Sequence, residues 1–221
     1  MYHYLEEELD QLRTQVIKMG SLVEEQVEFA MRSLFENNKT LVKIVMERDK
    51  QVDKFDIKIE KHCQKIFALT QPVAIDLRLI MTALKINSDL ERMGDIAVNI
   101  AERAEPLKEH LDMLKRVKID EMSEKVKYVV RNTIDSFVNN DNALAFEVIK
   151  YDDIIDDYER KIFCQLIEEM KTDKKMIKPC SHAISLLRHL ERLADYSTNI
   201  AEEVIFLLEA KIIKHSHKMD D

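Results

Sequence analysis

The feature that most constrains this chain is an internal repeat. Glu91-Arg92-Met93-Gly94-Asp95-Ile96-Ala97-Val98-Asn99-Ile100-Ala101-Glu102 returns one hundred residues later as Glu191-Arg192-Leu193-Ala194-Asp195-Tyr196-Ser197-Thr198-Asn199-Ile200-Ala201-Glu202, with seven of twelve positions identical. Five of the seven are polar, which a repeated core alone has no reason to keep. At about 100° per residue, Glu91, Asp95, Asn99 and Glu102 share an arc of roughly 80° on one helix face, while Ile86, Leu90, Met93, Ala97 and Ile100 lie roughly opposite. The second copy does the same with Glu191, Asp195, Asn199 and Glu202.

A second match lies upstream. Asp49, Val52, Asp53, Phe55, Asp56 and Ile59 correspond to Asp152, Ile155, Asp156, Tyr158, Glu159 and Ile162 at an offset of 103. Only two glycines and three prolines occur in 221 residues, so the chain is expected to be all-α, with long helices and little turn material. Apolar steps of three and four predict a first helix from Leu5 to Leu34, a second from about Thr40 to Ala68, and a third opened by Pro72 and running at least to Ala104. Pro106 and the stretch Leu107 to Lys118 read as a bridge, after which Ile119 starts the second set and Pro179 opens its last helix. The expected architecture is two tandem three-helix bundles, residues 1–106 and 119–215, with six long helices and a frayed tail holding His215 and His217.

A formal charge of −8 and the lack of a basic stripe argue against nucleic acid as a partner. No apolar run reaches the roughly 18 residues of a transmembrane segment, and no signal-peptide pattern opens the chain, so a soluble, cytoplasmic protein is expected. Cys63, Cys164 and Cys180 form no Cys-x-x-Cys clamp and read as buried small hydrophobes. No Walker loop, dinucleotide glycine motif or His-Glu-x-x-His is present, so neither an organic cofactor nor a catalytic set is expected. None of the seven histidines follows a glutamate at i−3, which argues against a ferritin-like di-iron centre. His62, His182 and His189 read as packing or surface histidines.

Carboxylates four apart on a helix repel one another. Two readings of the stripes stand side by side. In one they are solvated faces with Arg92, Lys54 and their neighbours as ordinary ion-pair partners. In the other, oxygen ligands from adjacent helices converge on cations such as Mg²⁺, Ca²⁺, Mn²⁺ or iron, with Asp49, Asp53 and Asp56 facing Glu91 and Asp95, and Asp152, Asp156 and Glu159 facing Glu191 and Asp195. Asn99 and Asn199 are then extra ligands or hydrogen bonders of the helix face.

Three runs, Asp49-x-x-Val52-Asp53-x-x-Asp56-x-x-Ile59-Glu60, Gln71-Pro72-x-x-x-Asp76-Leu77-Arg78 and Leu90-Glu91-Arg92-x-Gly94-Asp95-x-x-x-Asn99-Ile100-Ala101-Glu102, together with the second copy of the last, resemble the PhoU family of phosphate-uptake regulators. The resemblance covers nearly the full chain. It implies a cytoplasmic, non-enzymatic negative regulator of phosphate signalling and transport, an adaptor between the ATPase of a phosphate ABC transporter and a sensor histidine kinase, and a homodimer. It also implies iron or zinc clusters on the acidic motifs, which map onto Asp49 and Asp53, Glu91 and Asp95, Asp152 and Asp156, and Glu191 and Asp195. Ala194 stands where the first copy has Gly94, and no Asp-Leu-Arg precedes the last helix, so the two sites are expected to differ. The competing reading is a helical protein that stores or buffers metal.

Overall fold

The structure, a computed structural model, describes residues 2–213; His215, His217 and the expected end of the second repeat at residue 215 lie outside them. Among the described residues there is no strand. Helix α1 (Tyr2–Phe35) buries Leu9, Leu12, Val16, Met19, Val23, Val27, Ala30 and Leu34 along one stripe, as its three-and-four spacing dictates. It ends where Asn37 adopts a left-handed backbone (φ 49°), a conformation asparagine tolerates better than most residues. Asn38 then caps α2 (Lys39–Leu69), its side-chain oxygen accepting from the amides of Thr40 (3.0 Å) and Leu41 (3.4 Å). The second half repeats this turn: Asn140 is left-handed (φ 53°), and Asp141 caps α7 (Asn142–Thr172) by accepting from the Leu144 amide at 3.0 Å.

Helix α3 (Ala74–Glu102) starts two residues after Pro72, its first turn held by the Val73 amide donating to Asp76 Oδ2 at 3.2 Å. It stops at Glu102, short of the expected Ala104. Pro106 supplies no N–H for the Glu102 carbonyl and its ring crowds that oxygen, so the ladder breaks one turn ahead of the proline. The bridge is two short helices, α4 (Ala104–Leu107) and α5 (Leu111–Arg116), whose Leu107, Met113 and Leu114 are buried. Lys118, left-handed at φ 67°, turns the chain into α6 (Ile119–Asn139). After α7, a 3₁₀ turn (Lys174–Met176) leads into α8 (Ile177–Glu209), with Pro179 in its first turn rather than at its opening.

Helices α1, α2 and α3 form one antiparallel bundle and α6, α7 and α8 the other, and the two are joined where α3 packs on α8 and α1 on α6. One apolar cluster runs through both. Gly20 lets α1 and α6 approach: a Cβ there would sit 3.1 Å from Ile134 Cδ1. The α3–α8 seam carries polar ties as well. Lys85 Nζ donates to both oxygens of the buried Glu203 at 3.0 Å, and Arg78 Nη1 donates to the Leu207 carbonyl at 3.4 Å. One cysteine departs from expectation. Cys63 and Cys180 are buried, but Cys164 is exposed, because it stands about 200° around α7 from the buried Ile162.

Candidate functional site

The helical period places carboxylates of neighbouring helices against one another twice. In the first half, α2 supplies Asp49, Asp53 and Asp56, and α3 supplies Glu91 and Asp95. Burial and the charges of Asp53 and Asp95 push the Asp49 carboxyl above the usual range, although an amide from Gln26 pulls the other way. Glu91 is raised by burial and by Asp95, Asp56 and Asp53. Asp56 is raised by burial and by Glu60 and Asp53, while Asn87 Nδ2 on α3 donates to it at 2.5 Å.

The second half is more strained electrostatically. Asp152, on α7, is pushed up to about 6 by burial and then by Asp195 and Asp156. Glu191, on α8, rises to about 7 through burial and then the charges of Asp195, Asp156 and Glu159. Desolvation penalises each charged form, and like charges on the facing helix add to the penalty. Asp156, Glu159 and Glu191 line an open groove of about 390 Å³ rimmed by Arg160, Arg188 and Arg192.

The two asparagines fare differently from the carboxylates. Asn99 Nδ2 donates to the Asp95 carbonyl at 2.9 Å, which turns its amide onto its own helix, and Asn199 is half-buried on the equivalent turn. Arg92 gives the stripe little ordinary ion pairing: its guanidinium lies over the Tyr196 ring at 5.9 Å and is the least of the influences on Glu91.

Three residues that tune these clusters are not among their carboxylates. Gln26, fully buried on α1, donates through Nε2 to Asp49 Oδ1 (3.2 Å), the Gly94 carbonyl (3.2 Å) and the Val45 carbonyl (3.3 Å). In the second half the corresponding aspartate, Asp152, accepts instead from Thr198 Oγ1 at 3.3 Å. Asn87 is the third. Gln26 leaves a trace in the sequence as a polar residue inside the apolar stripe between Val23 and Val27; Asn87 stands one turn before Glu91 and Thr198 about 20° around the helix from Glu191, so the helical period puts both beside the acid stripes.

Among the described residues, no three His, Cys, Asp or Glu side chains are already drawn around one point as a metal would draw them. The donor chemistry nonetheless suits hard cations. Each cluster offers carboxylate oxygens from two helices, whose ionised forms carry a desolvation and like-charge penalty that a bound cation would relieve. Asp49, Asp53, Glu91 and Asp95 would hold such an ion in the first half, and Asp152, Asp156, Glu191 and Asp195 in the second.

Comparison with known proteins agrees with the repeat. A PhoU domain matches residues 16–104 and again residues 119–204. The chain is 42% identical over 210 residues to a phosphate-specific transport system accessory protein PhoU homolog of Aquifex aeolicus, covering 95% of each chain. Among solved structures, the crystal structure of PhoU from Pseudomonas aeruginosa superposes with a TM-score of 0.87 at 34% identity, covering 93% of this chain and 99% of that one. The phosphate transport system regulatory protein PhoU from Streptococcus pneumoniae gives 0.86 at 27% identity, covering 95% and 99%. Two matched domains, near-complete coverage and the doubled acid clusters together place this chain in the PhoU family.

Proposed function

We propose that this protein is a regulatory accessory subunit of phosphate transport, which acts by binding rather than by catalysis. It joins the ATPase of a phosphate transporter to the cytoplasmic part of a sensor histidine kinase and holds phosphate signalling down when phosphate is plentiful. Cations on the acid clusters set the charge of the docking face. The observation that carries this reading is the pair of matched clusters in which carboxylates of two helices meet, with Asp49 and Glu91 held above the usual carboxylate range and Asp152 and Glu191 raised to about 6 and about 7, so that loading a cation changes the local charge. The names of its relatives, which are accessory to phosphate-specific transport, support the link to phosphate transport. No helix among the described residues is long and apolar enough to cross a membrane, so contact with a membrane transporter would run through its peripheral parts. A homodimer, working at the cytoplasmic face, belongs to the same proposal.

An exposed apolar patch at the α2–α3 turn suits docking. Leu69, Val73 and Ile75 are 60%, 58% and 73% exposed, and grouped apolar exposure of this kind marks interaction surfaces. A switch needs unequal partner affinity in the two states. The test is capture of the transporter ATPase and of the kinase's cytoplasmic part with Mn²⁺ or with EDTA, by the native chain and by an Asp95→Asn, Asp195→Asn variant. Cation-dependent capture that the variant loses is the expected result. Failure to capture either partner in any state, with several ions held tightly per chain, would move the reading to metal storage.

A further inference from the structure

The two acid clusters are supported by different side chains. In the first, Gln26 and Asn87, 0% and 1% exposed, each aim an amide at an aspartate of α2. Gln26 Nε2 has two N–H groups for three acceptors, Asp49 Oδ1 and the Gly94 carbonyl at 3.2 Å and the Val45 carbonyl at 3.3 Å. Turning the amide over would set its oxygen against all three, so Asp49 is held in one orientation. Asn87 Nδ2 grips Asp56 at Oδ1 (2.5 Å) and at its backbone carbonyl (3.4 Å).

Both amides stand at a cost to the fold. Gln26 Oε1 and Asn87 Oδ1 are buried without a hydrogen-bond partner, which lowers stability. The second half shows that the same packing is reached without them. The repeat places Val129 at the position of Gln26 and Leu187 at that of Asn87, both buried. A role confined to filling the core would not keep two amides where valine and leucine serve.

The second cluster is held more loosely and faces more positive charge. Asp152 accepts from the Thr198 hydroxyl at 3.3 Å, a rotor rather than an amide fixed at three points. Asp156, Glu159 and Glu191 share their groove with Arg160, Arg188 and Arg192, where the first half has Ile57, Ser88 and Arg92. Two further guanidinium groups therefore oppose a cation approaching the second cluster.

We propose, resting on the reading of the acid clusters as cation sites, that Gln26 and Asn87 are positioning residues that make the first cluster the tighter of the two, so that the protein loads in two steps. Hydrogen bonds that fix a ligating carboxylate are worth roughly tenfold to a hundredfold in metal affinity. The first cluster fills at low free cation and the second only at a higher concentration. Between the two thresholds one half is neutralised and the other is not, which gives the docking face an intermediate charge state.

The test is titration of the metal-free full chain with Mn²⁺, counting the free ion by electron paramagnetic resonance. Two classes of saturable site are expected in the native chain, roughly tenfold or more apart in affinity. Asp53→Asn should remove the tight class and Asp156→Asn the weak one. Gln26→Val and Asn87→Leu, each introducing the residue the second half carries, should weaken the tight class roughly tenfold to a hundredfold and leave the weak class unmoved. Arg160→Ile with Arg188→Ser should strengthen the weak class alone. Ile134→Ala, which empties core space on α6, should lower Tm without moving either class, separating positioning from a general loss of stability. Equal affinities in the native chain, a tight class removed by Asp156→Asn, or a tight class that keeps its native strength in Gln26→Val and Asn87→Leu would overturn the loading order and leave the cation reading standing. No saturable Mn²⁺ in the native chain would remove the cation reading and the order with it.

Discussion

Gln26 Nε2 lies 3.2 Å from both the Gly94 carbonyl and Asp49 Oδ1, so one buried amide on α1 ties together the α2 and α3 sides of the first acid cluster. The second half has changed both partners of this contact. Gln26 corresponds to Val129 and Gly94 to Ala194, and the aspartate takes its hydrogen bond from Thr198 instead. The glycine and the glutamine therefore belong together: a Cβ at Gly94 would lie 3.3 Å from Gln26 Oε1 and 3.3 Å from Val52 Cγ1.

Gly94→Ala is expected to destabilise the chain by about 1–3 kcal/mol through overpacking. In a Gln26→Val background the cost should shrink, with a coupling energy of about 0.5–3 kcal/mol between the two changes. Urea unfolding of the four-member cycle measures it. Strict additivity would mean that the two positions are independent and that the pairing is an accident of the repeat.

The acid clusters predict how stability depends on pH. Asp152 and Glu191 rise from ordinary values of 3.8 and 4.5 to about 6 and about 7. Between those limits the folded chain binds more protons than the unfolded chain, so stability falls as pH rises through the window. Carboxylates held low by partners, such as Glu8 beside Lys65, lose their contribution only as the pH drops below the ordinary carboxylate range, outside this window. His182 and His189, held below the ordinary histidine value of 6.5 by burial and nearby cations, act the other way in the lower part of this window. The carboxylates are therefore isolated by comparison: in EDTA, the Tm of the native chain should fall more, or climb less, from pH 5 to pH 8 than that of Asp152→Asn. Millimolar Mn²⁺ should raise Tm near pH 8 and do little near pH 5, where protons already hold the sites. The same change in Tm from pH 5 to 8 in the native chain and in Asp152→Asn, without metal, would contradict the electrostatics.

Much of this fold is written in local signals. Asn37-Asn38 and Asn140-Asp141 announce matching turns because asparagine accepts left-handed backbone and Asn or Asp caps helices. The stripes Asp49, Asp53, Asp56 and Glu91, Asp95 fall out of the helical period, as does their meeting once α2 and α3 are antiparallel neighbours. Gln26 acts on a carboxylate of another helix, a relationship fixed by packing rather than by spacing, whereas Asn87, four residues before Glu91, falls on the spacing of the α3 stripe itself. Asn99 looked like a stripe member, yet the carbonyl of Asp95 one turn back satisfies its amide. Composition alone does not separate the exposed Cys164 from the buried Cys63 and Cys180, whereas its position about 200° around α7 from Ile162 does.

The seam between the halves makes an asymmetric prediction. Lys85 is 44% exposed, whereas Glu203 is 2% exposed. Lys85→Met takes an ammonium partner from the buried carboxylate and should cost about 1.5–3 kcal/mol, the worth of a hydrogen bond to a charged group. Glu203→Gln should cost less, since Lys85 can turn to water. Equilibrium unfolding of the two variants compares them. Equal costs would show that burial of Glu203 does not govern the pair.

The apolar patch at the α2–α3 turn separates binding from stability. Ile75 at 73% and Leu69 at 60% exposed contribute little to the core, so an Ile75→Glu, Leu69→Glu double variant should unfold within about 0.5 kcal/mol per site of the native chain. If this patch seats the transporter ATPase or the kinase, the same variant should lose most of its capture of that partner, since charges placed in an apolar contact must be desolvated without a mate. Capture at native strength by the stable variant would move the docking face elsewhere, and the acid clusters would then be the next surface to change. A loss of capture accompanied by a large fall in stability would instead mean that these side chains pack in solution more tightly than their exposure allows.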